Sequence, residues 1–169
     1  MMRPRCFLTR TAPLLIALCI ITSAHAVGVG EAAPAFELAQ ADGKPLSLAQ
    51  LRGNVVYVDF WASWCAPCKR SFPWMNALHD RHRGDGLVIV GVNVDKRRSD
   101  ADRFLRDVPA TFPIVFDTRG ATPTAFDVKG MPSSYLIDRT GIVVAVEEGF
   151  HDERATALEG RIRALLQSR

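Results

Sequence analysis

After residue 26 the chain holds only two cysteines, Cys65 and Cys68, and before that point it holds no acidic residue at all. The first scarcity excludes a disulfide-rich scaffold. The second leaves "MMRPRCFLTR" with Arg3, Arg5 and Arg10 uncompensated, ahead of the apolar "TAPLLIALCIITSAHA". A long apolar run is also missing. Ala12 to Ile21 is short against the ~20 residues of a spanning helix, and Thr22, Ser23 and His25 dilute the stretch after it. A basic start, a short apolar stretch and a closing Ala24-His25-Ala26 are the layout of a secretory signal cut after Ala26, with an uncleaved anchor as the alternative. Cys19 makes a poor lipid-attachment site, because Leu18 before it is larger than the small residue such signals carry.

Net charge disappears with that segment. Its three arginines, taken from 21 basic residues, leave 18 against 18 acidic ones. Nothing then favours nucleic acid or acidic lipid as a partner, and membrane contact is expected only if the signal stays as an anchor. Cys6 and Cys19 leave as well, so an intramolecular disulfide in the processed chain joins Cys65 to Cys68. An exported protein meets a compartment where such a bond persists. No internal repeat, linker or low-complexity tract is present. The division is a signal (1–26), a flexible leader (27–33) and one domain (34–169).

What is there reads as alternating strands and helices. "PAFELAQADGKPLSL" predicts a hairpin, Phe36–Leu38 against Leu46–Leu48, turning at Asp42-Gly43. Ser47 caps a short turn, "LAQL", which stops at Gly53. "VVYVDF" (Val55–Phe60) is β-branched and almost wholly apolar, as a central strand buried on both faces should be, and Asp59 is its one charge. Ala66 to about Arg83 predicts a helix kinked at Pro73. "LVIVGVNV" (Leu87–Val94) is a second buried strand. "SDADRFLRDV" is a helix capped by Ser99. "FPIVF" is a short strand, and "ATPTAF" a short helix with Pro123 in its first turn. "SSYLID" and "GIVVAVEEGF" form an antiparallel pair turning at "DRTG", and Asp152 leads a last amphipathic helix. The fold class is α/β: a mixed central sheet flanked by helices, parallel in its βαβ parts.

The spacing of the cysteines carries the chemistry. At the start of a helix, positions i and i+3 lie roughly 5 Å apart between Cα atoms, inside the range a disulfide requires. Pro67 stiffens that first turn. Cys65 would face the unpaired N–H groups and positive dipole end, which favour thiolate. Cys68 lies further in, placed to displace whatever Cys65 binds. A zinc reading with His79 and His82 fails on distance, because Cys68 and His79 lie about 16 Å apart along one helix. The two histidines read instead as an exposed helix end. A purely structural disulfide is weak, since so short a loop restricts the unfolded chain little. Neither His151 nor Met75 is linked to the cysteines by spacing, and no metal or other cofactor is assigned beyond the redox-active disulfide.

"VVYVDFWASWCAPCK" resembles the active-site strand and helix start of the thioredoxin fold. The longer "PAFELAQADGKPLSLAQLRGNVVYVDFWASWCAPC", with "GMPSSYLIDRTG" further on, resembles more narrowly the TlpA/ResA-like thiol–disulfide oxidoreductases of the bacterial extracytoplasmic space. The likeness spans Ala33 to Gln167, including the N-terminal hairpin and a central insertion between Val94 and Gly130. It implies a redox-active Cys65–Cys68 pair and a cis-proline loop at Met131-Pro132, where a substrate peptide adds as a short strand. It also implies a periplasmic or otherwise extracytoplasmic enzyme that reduces protein disulfides, with apocytochrome c or copper-site thiols as examples. A membrane donor of the DsbD/CcdA type would reduce it in turn. Trp64 is expected on the apolar lip of the groove and Trp61 in the packing.

Two positions depart from relatives. Many carry glutamate three residues after the second cysteine, where this chain has Ser71. Asp59 instead matches the buried aspartate of thioredoxin itself, and the expectation is that it accepts the Cys68 proton. A copper-delivery protein using both thiolates for Cu(I) is the non-enzymatic alternative. A peroxiredoxin is disfavoured, because Ala62 stands where Thr or Ser should precede a peroxidatic Cys65.

Overall fold

The computed structural model describes residues 27–168, so the expected signal lies outside the described residues. The strands are β1 (Glu37–Gln40), β2 (Pro45–Ser47), β3 (Val55–Trp61), β4 (Leu87–Asn93), β5 (Ile114–Phe116), β6 (Ser133–Ile137) and β7 (Val143–Glu148). The helices are α1 (Ala66–His82), α2 (Arg98–Asp107), α3 (Ala121–Ala125) and α4 (Asp152–Gln167). One mixed sheet runs β2-β1-β5-β4-β3-β6-β7. β3 pairs parallel with β4, and β4 with β5, while β6 lies antiparallel to both β3 and β7.

Every residue of β3 is buried, because the strand has neighbours on both edges and cover on both faces. Its odd positions, Val55, Tyr57 and Trp61, pack with Cys65, Cys68 and Phe72 of the α1 segment. Its even positions, Val56, Val58 and Phe60, join Phe36, Phe126 and Tyr135 on the opposite face. Trp61, as expected, is a packing residue, 5.0 Å from Phe72 and 4.8 Å from Phe104 between ring centroids. Gly91 permits this. A Cβ there would meet Ile114 Cδ1 at 2.6 Å and Trp61 Nε1 at 3.1 Å.

Three local expectations are corrected. Residues 30–33 do not form a free leader: Gly30 N–H reaches Val143 O (2.8 Å), Ala33 N–H reaches Gly141 O (3.0 Å), and Val143 N–H reaches Glu31 O (2.9 Å). The start of β7 offers backbone groups that no other strand takes up, and the leader satisfies them. Ser99 is not a cap. α2 begins at Arg98 after Arg97, and Asp100 binds the Arg97 guanidinium at 2.9 Å. His79 and His82 are half-buried rather than exposed, with His79 against the Phe112 ring and His82 Nδ1 3.0 Å from Asp85. α1 continues through Pro73 as one helix. The Ser47 cap stands, with Gln50 closing a capping box.

Candidate active site

β3 delivers the chain to α1 through a three-residue loop, Ala62–Trp64. The loop is pinned from β4's side by Asp95, a residue that sequence reasoning misses. Its buried carboxylate accepts the Ser63 N–H and Ser63 hydroxyl, both at 2.9 Å, and the Asn93 side-chain amide at 2.8 Å. The one signal in the chain is an Asn-x-Asp step closing an otherwise apolar strand. A buried carboxylate needs several donors, and here they fix the backbone just before Cys65.

Cys65 is the N-cap residue of α1, with Pro67 in the first turn and no acidic side chain there. Its sulfur accepts the Cys68 N–H at 3.2 Å. That bond and the helix dipole both stabilise a thiolate at this position. Cys65 and Cys68 are joined by a disulfide with Cα atoms 5.4 Å apart, in line with the helical estimate. In this oxidised state Cys65 keeps 4% exposure and Cys68 none. Cys68 thus lies further in, as expected, and Cys65 is nearly covered too, because both cysteines pack into the core cluster against which Met131 also lies.

The Met131–Pro132 peptide bond is cis, as the resemblance implies. Pro132 is buried and its carbonyl accepts the Gly149 N–H at 2.8 Å, while Ser133 Oγ donates to Gly130 O. Trp64 stands 71% exposed beside the disulfide, an unusual position for so large an apolar surface. Ser71 is buried and its hydroxyl donates to Cys68 O at 3.1 Å, so no carboxylate from α1 occupies the glutamate position of relatives.

Asp59 lies mid-strand rather than at a strand end, 2% exposed, with Oδ2 buried and without a hydrogen-bond partner. Alternation along β3 puts it on the same face as Tyr57 and Trp61, the face that carries Cys68. Burial pushes its carboxyl well above the usual carboxylate range. Such a group holds its proton to higher pH than an ordinary surface aspartate does. Met75 is buried in the core and His151 is exposed. Among the described residues no group of three or more His, Cys, Asp and Glu side chains is placed to hold a metal ion.

A disulfide at the N-terminus of the helix after a central strand, with a cis-proline loop alongside, defines a thiol–disulfide oxidoreductase of thioredoxin fold. The chain belongs to the AhpC/TSA family, whose model matches residues 29–146, and within it to the ResA-like thiol–disulfide oxidoreductases. It is 32% identical to the thiol-disulfide oxidoreductase ResA of Bacillus subtilis, over 88% of each chain. It is 36% identical to ResA of Geobacillus kaustophilus, over 83% of this chain and 86% of that one. Among solved structures, a Chlorobium tepidum protein named as a putative thiol:disulfide interchange protein DsbE superposes with a TM-score of 0.80 and 46% identity. That match covers 83% of this chain and 99% of the other. The chain is an oxidoreductase that carries out thiol–disulfide exchange.

Proposed function

We propose that the enzyme is exported, cut after Ala26, and works outside the cytoplasm as a reductant of disulfides in protein substrates. Apocytochrome c or copper-site thiols are candidate substrates, and a membrane thiol donor of the DsbD/CcdA type is the proposed source of electrons. The observation that carries the reading is the Cys65 sulfur at the N-cap of α1, bonded to a second sulfur one turn on. In the reduced enzyme, Cys65 thiolate attacks one sulfur of a substrate disulfide and expels the other as thiolate. Asp59 takes the proton of Cys68, whose sulfur then attacks Cys65 Sγ. The second substrate thiolate leaves, and the protein disulfide is restored. Two electrons pass from the cysteine pair to the substrate.

The direction of flow is tested by the reduction potential of the Cys65–Cys68 couple, equilibrated against glutathione. A value near about −270 mV is expected for a reductant, and one near about −120 mV overturns the direction in favour of an oxidant. Substrate recognition is assigned to Trp64 with the backbone of Met131 and Pro132. A solvent-exposed indole next to the disulfide is the kind of side chain that anchors a peptide. Trp64→Ala is expected to raise KM for a disulfide-containing peptide about tenfold while kcat changes little. Steady-state reduction of the peptide measures this, and an unchanged KM removes Trp64 from the groove.

A further inference from the structure

The buried Asp59 carboxyl is not sealed in. It borders a cavity of about 20 Å³ whose polar wall is made by Tyr57, Ser134, Glu147, His151 and Arg154. That volume admits a single water molecule, and the wall supplies the polar partners such a water needs. The register of the sheet explains the lining. Asp59 pairs with Ser134 on β6, and Ser134 pairs with Glu147 on β7. Residues paired in register project to one face, so Asp59, Ser134 and Glu147 form a polar row across three strands. Two strand spacings put the ends of the row roughly 10 Å apart at the backbone, a span that two carboxyl side chains and one water bridge.

Each wall group has a definite chemistry. Tyr57 donates its hydroxyl to Ser134 Oγ at 2.6 Å, and burial, with the Asp59 charge adding to it, keeps the phenol protonated. Ser134 therefore has its own hydroxyl proton to offer the cavity. Glu147 has one carboxylate oxygen 3.1 Å from Arg154 Nη1 of α4, and its side chain is 23% exposed. It is the carboxylate in the lining that touches both the cavity and bulk solvent. The charged or titratable groups around Asp59 are thus Tyr57 on its own strand, Glu147 on β7, His151 in the loop after β7, Arg154 on α4, and Cys68 on α1.

We propose that Glu147 is the proton-relay residue of this enzyme. After Asp59 has taken the Cys68 proton, one water in the cavity accepts that proton from Asp59 and passes one to the Glu147 carboxylate, which releases it to solvent. The Cys68 S–H bond breaks, the electron pair stays on sulfur for attack on Cys65, and the proton ends in bulk water. Reduction of the enzyme runs the same route inward. The inference rests on the proposed role of Asp59 as the proton acceptor.

The test uses the full-length processed enzyme carrying glutathione as a mixed disulfide on Cys65, with resolution by Cys68 stopped at intervals by acid quench. Glu147→Gln is expected to slow resolution about tenfold at neutral pH, and Glu147→Ala to recover with added formate, which enters the space left by the side chain. Glu148→Gln, on the neighbouring exposed carboxylate, is expected to resolve at the wild-type rate. An unchanged rate in Glu147→Gln, with Asp59→Asn slow, overturns the relay and leaves Asp59 in place. Equal slowing in Glu147→Gln and Arg154→Met, with no response to formate, also overturns it, because the ion pair would then be only structural. An unchanged rate in Asp59→Asn removes the base and the relay together.

Discussion

Cys68→Ser is expected to convert the enzyme into one that attacks its substrate and cannot let go. Cys65 keeps its place at the N-cap of α1, where the helix end favours its thiolate. Serine at position 68 cannot break the mixed disulfide, since its hydroxyl is not ionised near neutrality. Exposure to oxidised glutathione should therefore leave one glutathione per protein on Cys65, visible as a single adduct by mass spectrometry. Turnover should fall by roughly three orders of magnitude or more. Cys65→Ser should lose turnover equally and form little or no glutathione adduct, because position 65 then has no thiol and Cys68 is fully covered. An adduct of equal yield on Cys68 in that variant would reverse the assignment of attacker and resolver.

The second large effect is expected at Asp59, in stability and in rate together. Its folded-state pKa lies well above the ordinary value of 3.8. The native state therefore binds this proton more tightly than the unfolded chain does. Stability present below about pH 4 is lost as pH rises through the folded pKa, where a buried charge must form without a partner. Asparagine does not titrate. Urea unfolding of oxidised Asp59→Asn should match wild type near pH 4 and exceed it by about 1–3 kcal/mol at pH 8. The same variant should resolve mixed disulfides about a hundredfold more slowly at neutral pH, and lose the pH dependence that Asp59 imposes. A variant less stable than wild type at pH 8 would mean that Asp59 is held by donors rather than merely buried, and the base reading would fall with it.

Much of this is legible in the sequence because it depends on neighbours in the chain. The Cys65–Cys68 spacing fixes a separation that helix geometry alone allows to close. Ser47 and Gln50 recognise each other across three residues. The apolar run of β3 declares a strand covered on both sides, which makes Asp59 conspicuous within it. Other features are hidden because they join distant segments. Asp95 reads as the end of a strand until Ser63, thirty-two residues earlier, is seen donating to it twice. Glu147 reads as an ordinary acid near a strand terminus until β6 lies between it and Asp59. The Ser99 cap fails for a related reason: Arg97 binds Asp100 and takes the N-cap position two residues earlier. The free leader fails because its partner, the start of β7, lies more than a hundred residues away.

The sequence by itself determined which two sulfurs exchange, that a helix N-terminus holds them, and that a single carboxylate lies buried in the strand before them. Those facts come from side-chain spacing and from the few conformations a local backbone can take. Tertiary structure alone decided the strand order, the depth at which the sulfurs lie, and the route from Asp59 to solvent. Each of these depends on which strands become neighbours across the sheet, and that pairing is settled by burial over the whole domain rather than by any local stretch of chain.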